Sequence, residues 1–238
     1  MTPARPVTAV ERLVLDLFAG DLADPLAVEV AGWLAGSRRF RAFAGAHLDK
    51  IRKKLRGARH ADARRDVRAE LAVAHLLLAD PRIELAFEAY GSGSAGPDFT
   101  VVFRGERSFN LEVTRLHRPP PEAVDGRQLL PKLRQLPPSM PNAVLVAIQG
   151  EAADAFDVAA AIRGLQARAD AGDDDFFRTR AFKGVRDFNL RYRRLGGVLV
   201  WCEAATGDAR AAVWSNPSAR IALPEMALRA CLLCLRAG

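Results

Sequence analysis

Ala143-Val-Leu-Val-Ala-Ile148 is an unbroken run of six apolar residues, entered from Pro141-Asn142 and left through Gln149-Gly150. A strand with one solvated face alternates polar and apolar side chains. A strand covered on both faces reads instead as a continuous apolar segment. Six residues is also strand length rather than helix length. The chain must therefore supply layers on both sides of a sheet, which selects an α/β architecture.

The remaining segments provide those layers. From Val7 to about Ala79 the apolar spacing is helical, and helices are predicted at Ala9–Phe18, Pro25–Ala35, Arg38–Leu55 and Asp62–Ala79. The period then changes. "RIELAFEAY" (82–90) sets Ile83, Leu85 and Phe87 against Glu84, Glu88 and Tyr90, the pattern of a half-buried strand. "GSGSAG" (91–96) reads as a flexible loop leading into a β-hairpin, "PDFTVVFRGERSFNLEVTRL", and Pro119-Pro120-Pro121 ends that unit. A helix at Gln128–Leu136 precedes the central strand and another at Phe156–Ala169 follows it. Strands at 196–201 and 211–214 and a helix opening at Pro224 complete the chain. The order predicts a mixed sheet between helices.

Half of the 238 residues are hydrophobic, enough for a sizeable core. With 35 basic against 28 acidic residues the chain carries +7, a balance that favours polyanionic partners. Cys231 and Cys234 have CxxC spacing but lie in the apolar helical run "LRACLLCLRA" with no second ligand pair, so buried helix core is expected there. The first apolar run, in "MTPARPVTAVERLVLDLF", is interrupted by charges and is not a signal peptide. No uninterrupted apolar stretch of about 18 residues occurs, so no membrane span is expected and the location expected is cytoplasmic.

Three carboxylates stand where uncharged residues would be easier to accommodate. In "DARRDVRAELAVAHLLLA", Val67, Leu71, Val73, Ala74, Leu77 and Leu78 form one apolar arc, and Glu70 lies near its middle. A carboxylate in that position must meet a cation or line a polar cleft. In the hairpin, Phe99, Val101 and Phe103 share one face of their strand while Asp98 and Thr100 share the other. In the next strand Phe109, Leu111 and Val113 oppose Asn110, Glu112 and Thr114. Whether the two acids meet depends on the turn around Arg104-Gly105-Glu106-Arg107. A two-residue turn puts them on opposite faces, while three or five residues bring them together.

A helix glutamate, a strand, Pro97-Asp98 opening a second strand and Glu112-Val113-Thr114 on a third resemble the PD-(D/E)xK nuclease superfamily, across residues ~62–148. The resemblance implies a restriction-endonuclease-like mixed β-sheet flanked by helices over 61–238, with residues 1–60 as an N-terminal helical extension. It also implies metal-dependent phosphodiester hydrolysis with Mg²⁺ or Mn²⁺. Asp98 and Glu112 would be primary ligands, the Val113 carbonyl a third, and Glu70 would serve a second ion or a water. The departure is Thr114, where the family carries a lysine. Some members move that lysine to another element, and Lys132, in the stripe Gln128, Lys132, Gln135, is the substitute expected here. The alternative is a nuclease-like fold without activity that binds nucleic acid or a protein partner.

Charge is concentrated beside this unit. Ser37–Arg68 holds twelve Lys/Arg and three Asp, a net of +9, and "DKIRKKLRGARHADARR" runs directly into the Glu70 helix. Rows of this kind contact phosphates. Arg52, Lys53, Lys54 and Arg56, with Gln128, are the expected nucleic-acid contacts. DNA is the first expected partner, in a homodimer if both strands are cut. A second basic set, Arg178 to Arg194, is interleaved with Phe182, Phe188 and Tyr192. It reads as an amphipathic helix with a solvated basic face rather than as a base-stacking surface.

Overall fold

A computed structural model describes residues 7–90, 96–116, 126–149, 157–203 and 209–237. Two compact units divide the chain at Ala79/Asp80, whereas the sequence placed a boundary after residue 60. The Glu70 helix groups with the helices before it because its ion pairs reach back to them: Arg64 meets Asp24, Arg68 meets Glu29 and Lys54 meets Glu70.

The helical unit contains α1 (Ala9–Leu17), α2 (Pro25–Gly36), α3 (Arg38–Ala46), α4 (Leu48–Gly57) and α5 (Ala61–Leu77). Thr8 and Glu11 close a capping box on α1, and Asp24 caps α2 ahead of Pro25 in the first turn. The single helix expected over 38–55 is two. His47, at φ −114° and ψ 20°, leaves the helical region while the hydrogen bonds from His47 N to Phe43 O and from Ile51 N to His47 O persist. Phe40, Phe43 and Ala44 in α3 and Ile51 and Leu55 in α4 are all buried, so the apolar spacing runs through the break and does not announce it.

The second unit is built on a six-stranded mixed sheet in the order β1-β2-β3-β4-β5-β6: Ile83–Phe87, Phe99–Phe103, Arg107–Arg115, Asn142–Gln149, Leu195–Glu203 and Arg210–Ser215. β3, β4 and β5 are parallel; β1, β2 and β6 join antiparallel. The predicted central strand is β4, and Ala143 to Ile148 are all buried. Burying each Val, Leu or Ile there contributes about 1.5–3 kcal/mol before entropy is counted. At the head of β5, Gly196 is the extra residue of an irregularity in which Asn142 pairs Leu195 and Ala143 pairs Gly197. A Cβ on Gly197 would come within 2.7 Å of the Trp214 carbonyl oxygen, so only glycine fits.

The crossovers are α6 (Leu129–Leu133) between β3 and β4, and α7 (Val158–Asp170), α8 (Asp174–Arg178) and α9 (Val185–Tyr192) between β4 and β5. They share one core with Val144, Val146, Ile148, Val198 and Val200. α8 and α9 occupy the stretch read as one amphipathic segment. Phe182, Phe188 and Tyr192 lie inside the core, which removes base stacking at these rings; Arg178, Lys183, Arg186 and Arg193 are exposed, while Arg180, Arg191 and Arg194 are half-buried and donate to main-chain carbonyls. α10 (Glu225–Arg236) packs against β5 and β6 and buries Cys231 and Cys234. Burial pushes both thiols above their ordinary range, as befits core residues. Among the described residues no helix is long and apolar enough to cross a membrane. The loop at 91–95, His117, Pro119-Pro120-Pro121 and Phe156 lie outside the described residues.

Candidate functional site

The turn decides the site. Phe103 pairs with Arg107, leaving a three-residue loop in which Arg104 (φ 55°) and Gly105 (φ 73°) adopt left-handed backbone. The register then runs Phe99↔Leu111, Thr100↔Asn110 and Val101↔Phe109. One step further sets Asp98 level with Glu112, and alternation puts both on the face shared by Thr100, Asn110 and Thr114. Of the two arrangements open in the sequence, the one that brings the acids together is present.

That face changes character across the sheet. Glu112 aligns with Val144 and Val198, and Thr114 with Val146 and Val200, so over β4 and β5 it is apolar and covered by the crossover helices. Over β2 and β3 the same face carries Asp98, Thr100, Asn110 and Glu112. The buried amides satisfy one another. Asn110 Nδ2 donates to Asn142 Oδ1 at 3.0 Å, Thr100 Oγ1 donates to Asn110 Oδ1, and Asn142 Nδ2 donates to main-chain carbonyls of Pro137, Met140 and Arg194. Sequence reasoning missed Asn142 as a member of this set; an asparagine opening an otherwise apolar strand was its only signal.

Glu112 is 2 % exposed and Asp98 8 %. Burial at that depth requires compensation. Lys132 Nζ lies 2.6 Å from Glu112 Oε1, and Asp98 Oδ2 accepts the Val113 N–H at 2.8 Å. Lys132 is held there by its own helix. Leu129, Leu130 and Leu133 are fully buried and fix the rotation of α6, while Pro131 sits in the first turn, where a missing N–H costs nothing. In a strand the N–H and C=O of one residue point to the same neighbour. The Val113 carbonyl is therefore directed to the Asp98 side as well. Thr114 is half-buried on the Glu112 face.

Two carboxylates and a carbonyl are hard oxygen donors. Mg²⁺ commonly takes one or two carboxylates and keeps several waters, so this donor set fits it. Among the described residues no three His, Cys, Asp or Glu side chains assemble into a metal cage, and the set rests on the pair with the main chain. Glu70 belongs to the helical unit, where Lys54 Nζ lies 2.5 Å from its Oε2. Of the basic row, Arg52 pairs with Asp49 and Lys54 with Glu70, while Lys53 and Arg56 are exposed. Gln128 is half-buried at the start of α6, and its side-chain oxygen is buried with no hydrogen-bond partner. Compared with known protein families, with curated proteins and with solved structures, the chain matches none of them.

Proposed function

We propose that the sheet unit is restriction-endonuclease-like and hydrolyses phosphodiester bonds of nucleic acid, with DNA as the first substrate and Mg²⁺ or Mn²⁺ as cofactor. The reading rests on one observation: Asp98 and Glu112 share a sheet face, with a lysine, Lys132, supplied from α6 where Thr114 stands in its usual place. A divalent cation held by Asp98, Glu112 and the Val113 carbonyl would supply the Lewis acid that activates water and offsets charge on the leaving oxygen. The chain's own part is to hold Glu112 charged and oriented through Lys132. The Lys132 ammonium also stands ready to donate to a phosphate oxygen as its charge grows. Lys53 and Arg56 add exposed positive charge for phosphate contacts that weaken as salt rises.

A second reading has its own support. Lys132 already closes on Glu112 Oε1, and Asp98 already caps the Val113 amide, so each of the two acids has a partner within the protein. Such a site suits a nuclease-like module that binds nucleic acid or protein without cutting. Nicking of plasmid DNA with Mg²⁺ or Mn²⁺ separates the two. Wild type is expected to cut, chelation to stop it, and Asp98→Ala and Glu112→Ala each to abolish cutting while keeping DNA binding. A wild-type protein that neither cuts nor gains thermal stability from either cation favours the binding module. Full cutting by Asp98→Ala in a clean preparation sinks the nuclease assignment.

A further inference from the structure

We propose that Tyr90 is a stacking platform for an unpaired nucleobase beside the Asp98–Glu112 site, which makes single-stranded nucleic acid the preferred ligand. The proposal rests on the phosphodiester reading above only for the chemistry of the neighbouring carboxylates.

Among the described residues, Tyr90 is the one aromatic side chain in the set of exposed large hydrophobics, at 38 % exposure. Every other member of that set is aliphatic or Met. An exposed ring usually wanders, but this one is held at both ends. Its hydroxyl oxygen accepts from Asn110 Nδ2 at 3.2 Å, and its O–H donates to Met140 Sδ at 3.6 Å. Its base rests over Gly96, where an added Cβ would come within 2.8 Å of Tyr90 Cβ. Gly96 leads directly into Pro97-Asp98, and Asn110 lies on the Glu112 face two residues along β3. The ring is thereby fixed to the same polar half-face that carries the two acids.

A rigid exposed ring loses little conformational entropy when something flat lies on it. Every nucleobase has such a face, so stacking tolerates sequence and contributes without charge. A base inside a duplex is already stacked on both sides and cannot reach the ring. A single strand, or a flipped base, can.

Binding of a fluorescent single-stranded oligonucleotide, DNA and RNA in separate arms, and of the matching duplex tests this in chelator, where nothing is cut. Tyr90→Leu is expected to weaken single-strand binding by about 10- to 100-fold and leave duplex binding unchanged. Tyr90→Phe keeps the ring but loses the hydroxyl that holds it, and its single-strand affinity is expected to fall between those of wild type and Tyr90→Leu. Gly96→Val, which displaces the ring without removing it, is expected to follow Tyr90→Leu, and it keeps the test open if Tyr90→Leu melts early. Single-strand affinity unchanged in both Tyr90→Leu and Gly96→Val overturns the platform and leaves the cleavage reading intact. Preferential duplex binding that ignores Tyr90 overturns it too. If wild type never cuts yet Tyr90→Leu loses single-strand affinity, the cleavage reading fails and the platform stands.

Discussion

Glu112–Lys132 and Glu70–Lys54 are the same chemical pair at nearly the same separation, 2.6 and 2.5 Å, in different surroundings. Glu70 sits on a helix whose neighbouring turns carry further ion pairs, Arg64 with Asp24 and Arg68 with Glu29. Its side chain keeps 13 % exposure, against 3 % for Glu112. Glu112 stands on a central strand with a second carboxylate level with it and main-chain groups turned the same way. The first pair ties helices together. The second holds a charge where a sheet would otherwise be apolar. Chemical identity of a pair says little about its role; what surrounds it says more.

The sharpest way to break this contrast is to remove each lysine in turn. Lys132→Ala strands the more deeply buried carboxylate and is expected to cost about 3 kcal/mol in urea denaturation. It is also expected to slow any DNA cleavage by ~10²-fold or more. Glu112→Gln combined with Lys132→Met should recover most of the stability and none of the cleavage, because a neutral pair needs no counter-charge. Lys54→Ala leaves Glu70 closer to water and among other cations, and about 1 kcal/mol is expected. Equal losses for the two lysines would erase the distinction.

The smallest effect concerns pH. His75 lies flat against Trp33 at 5.4 Å, and burial holds its pKa below the ordinary value; His47 is lowered as well, by burial and then by Lys50. As pH falls through about 6.5 the unfolded chain takes up protons first, so the stability these residues contribute is complete above that pH and is lost below it. Melting curves of the wild type at descending pH should show the loss, and His75→Phe should flatten it. A melting profile that is the same for both proteins across this range contradicts the assignment.

Much of the sheet was legible because its signals are local. The apolar run at 143–148 fixed the covered strand, and alternation at 99–103 and 109–113 separated the two faces of the hairpin. Lys132 was reachable by helical spacing from Gln128. The break at His47 was not, since it turns on one residue's dihedrals within a continuous apolar pattern. Nor was the partner of Glu70, because Lys54 is one of twelve cations in its neighbourhood and only packing chooses among them. The Asn110–Asn142 contact was hidden for another reason: it joins residues 32 apart, through the pairing of β3 with β4.

The loop Arg104-Gly105-Glu106 has a consequence for how such a chain can vary over time. A side chain's face depends on whether the count from the turn is odd or even, so gaining or losing one residue there would carry Asp98 through the sheet and away from Glu112. Two residues would restore it. Length change at this hairpin is therefore expected to be tolerated in pairs, which makes a short surface loop as restrictive for the site as any of the acids it aligns.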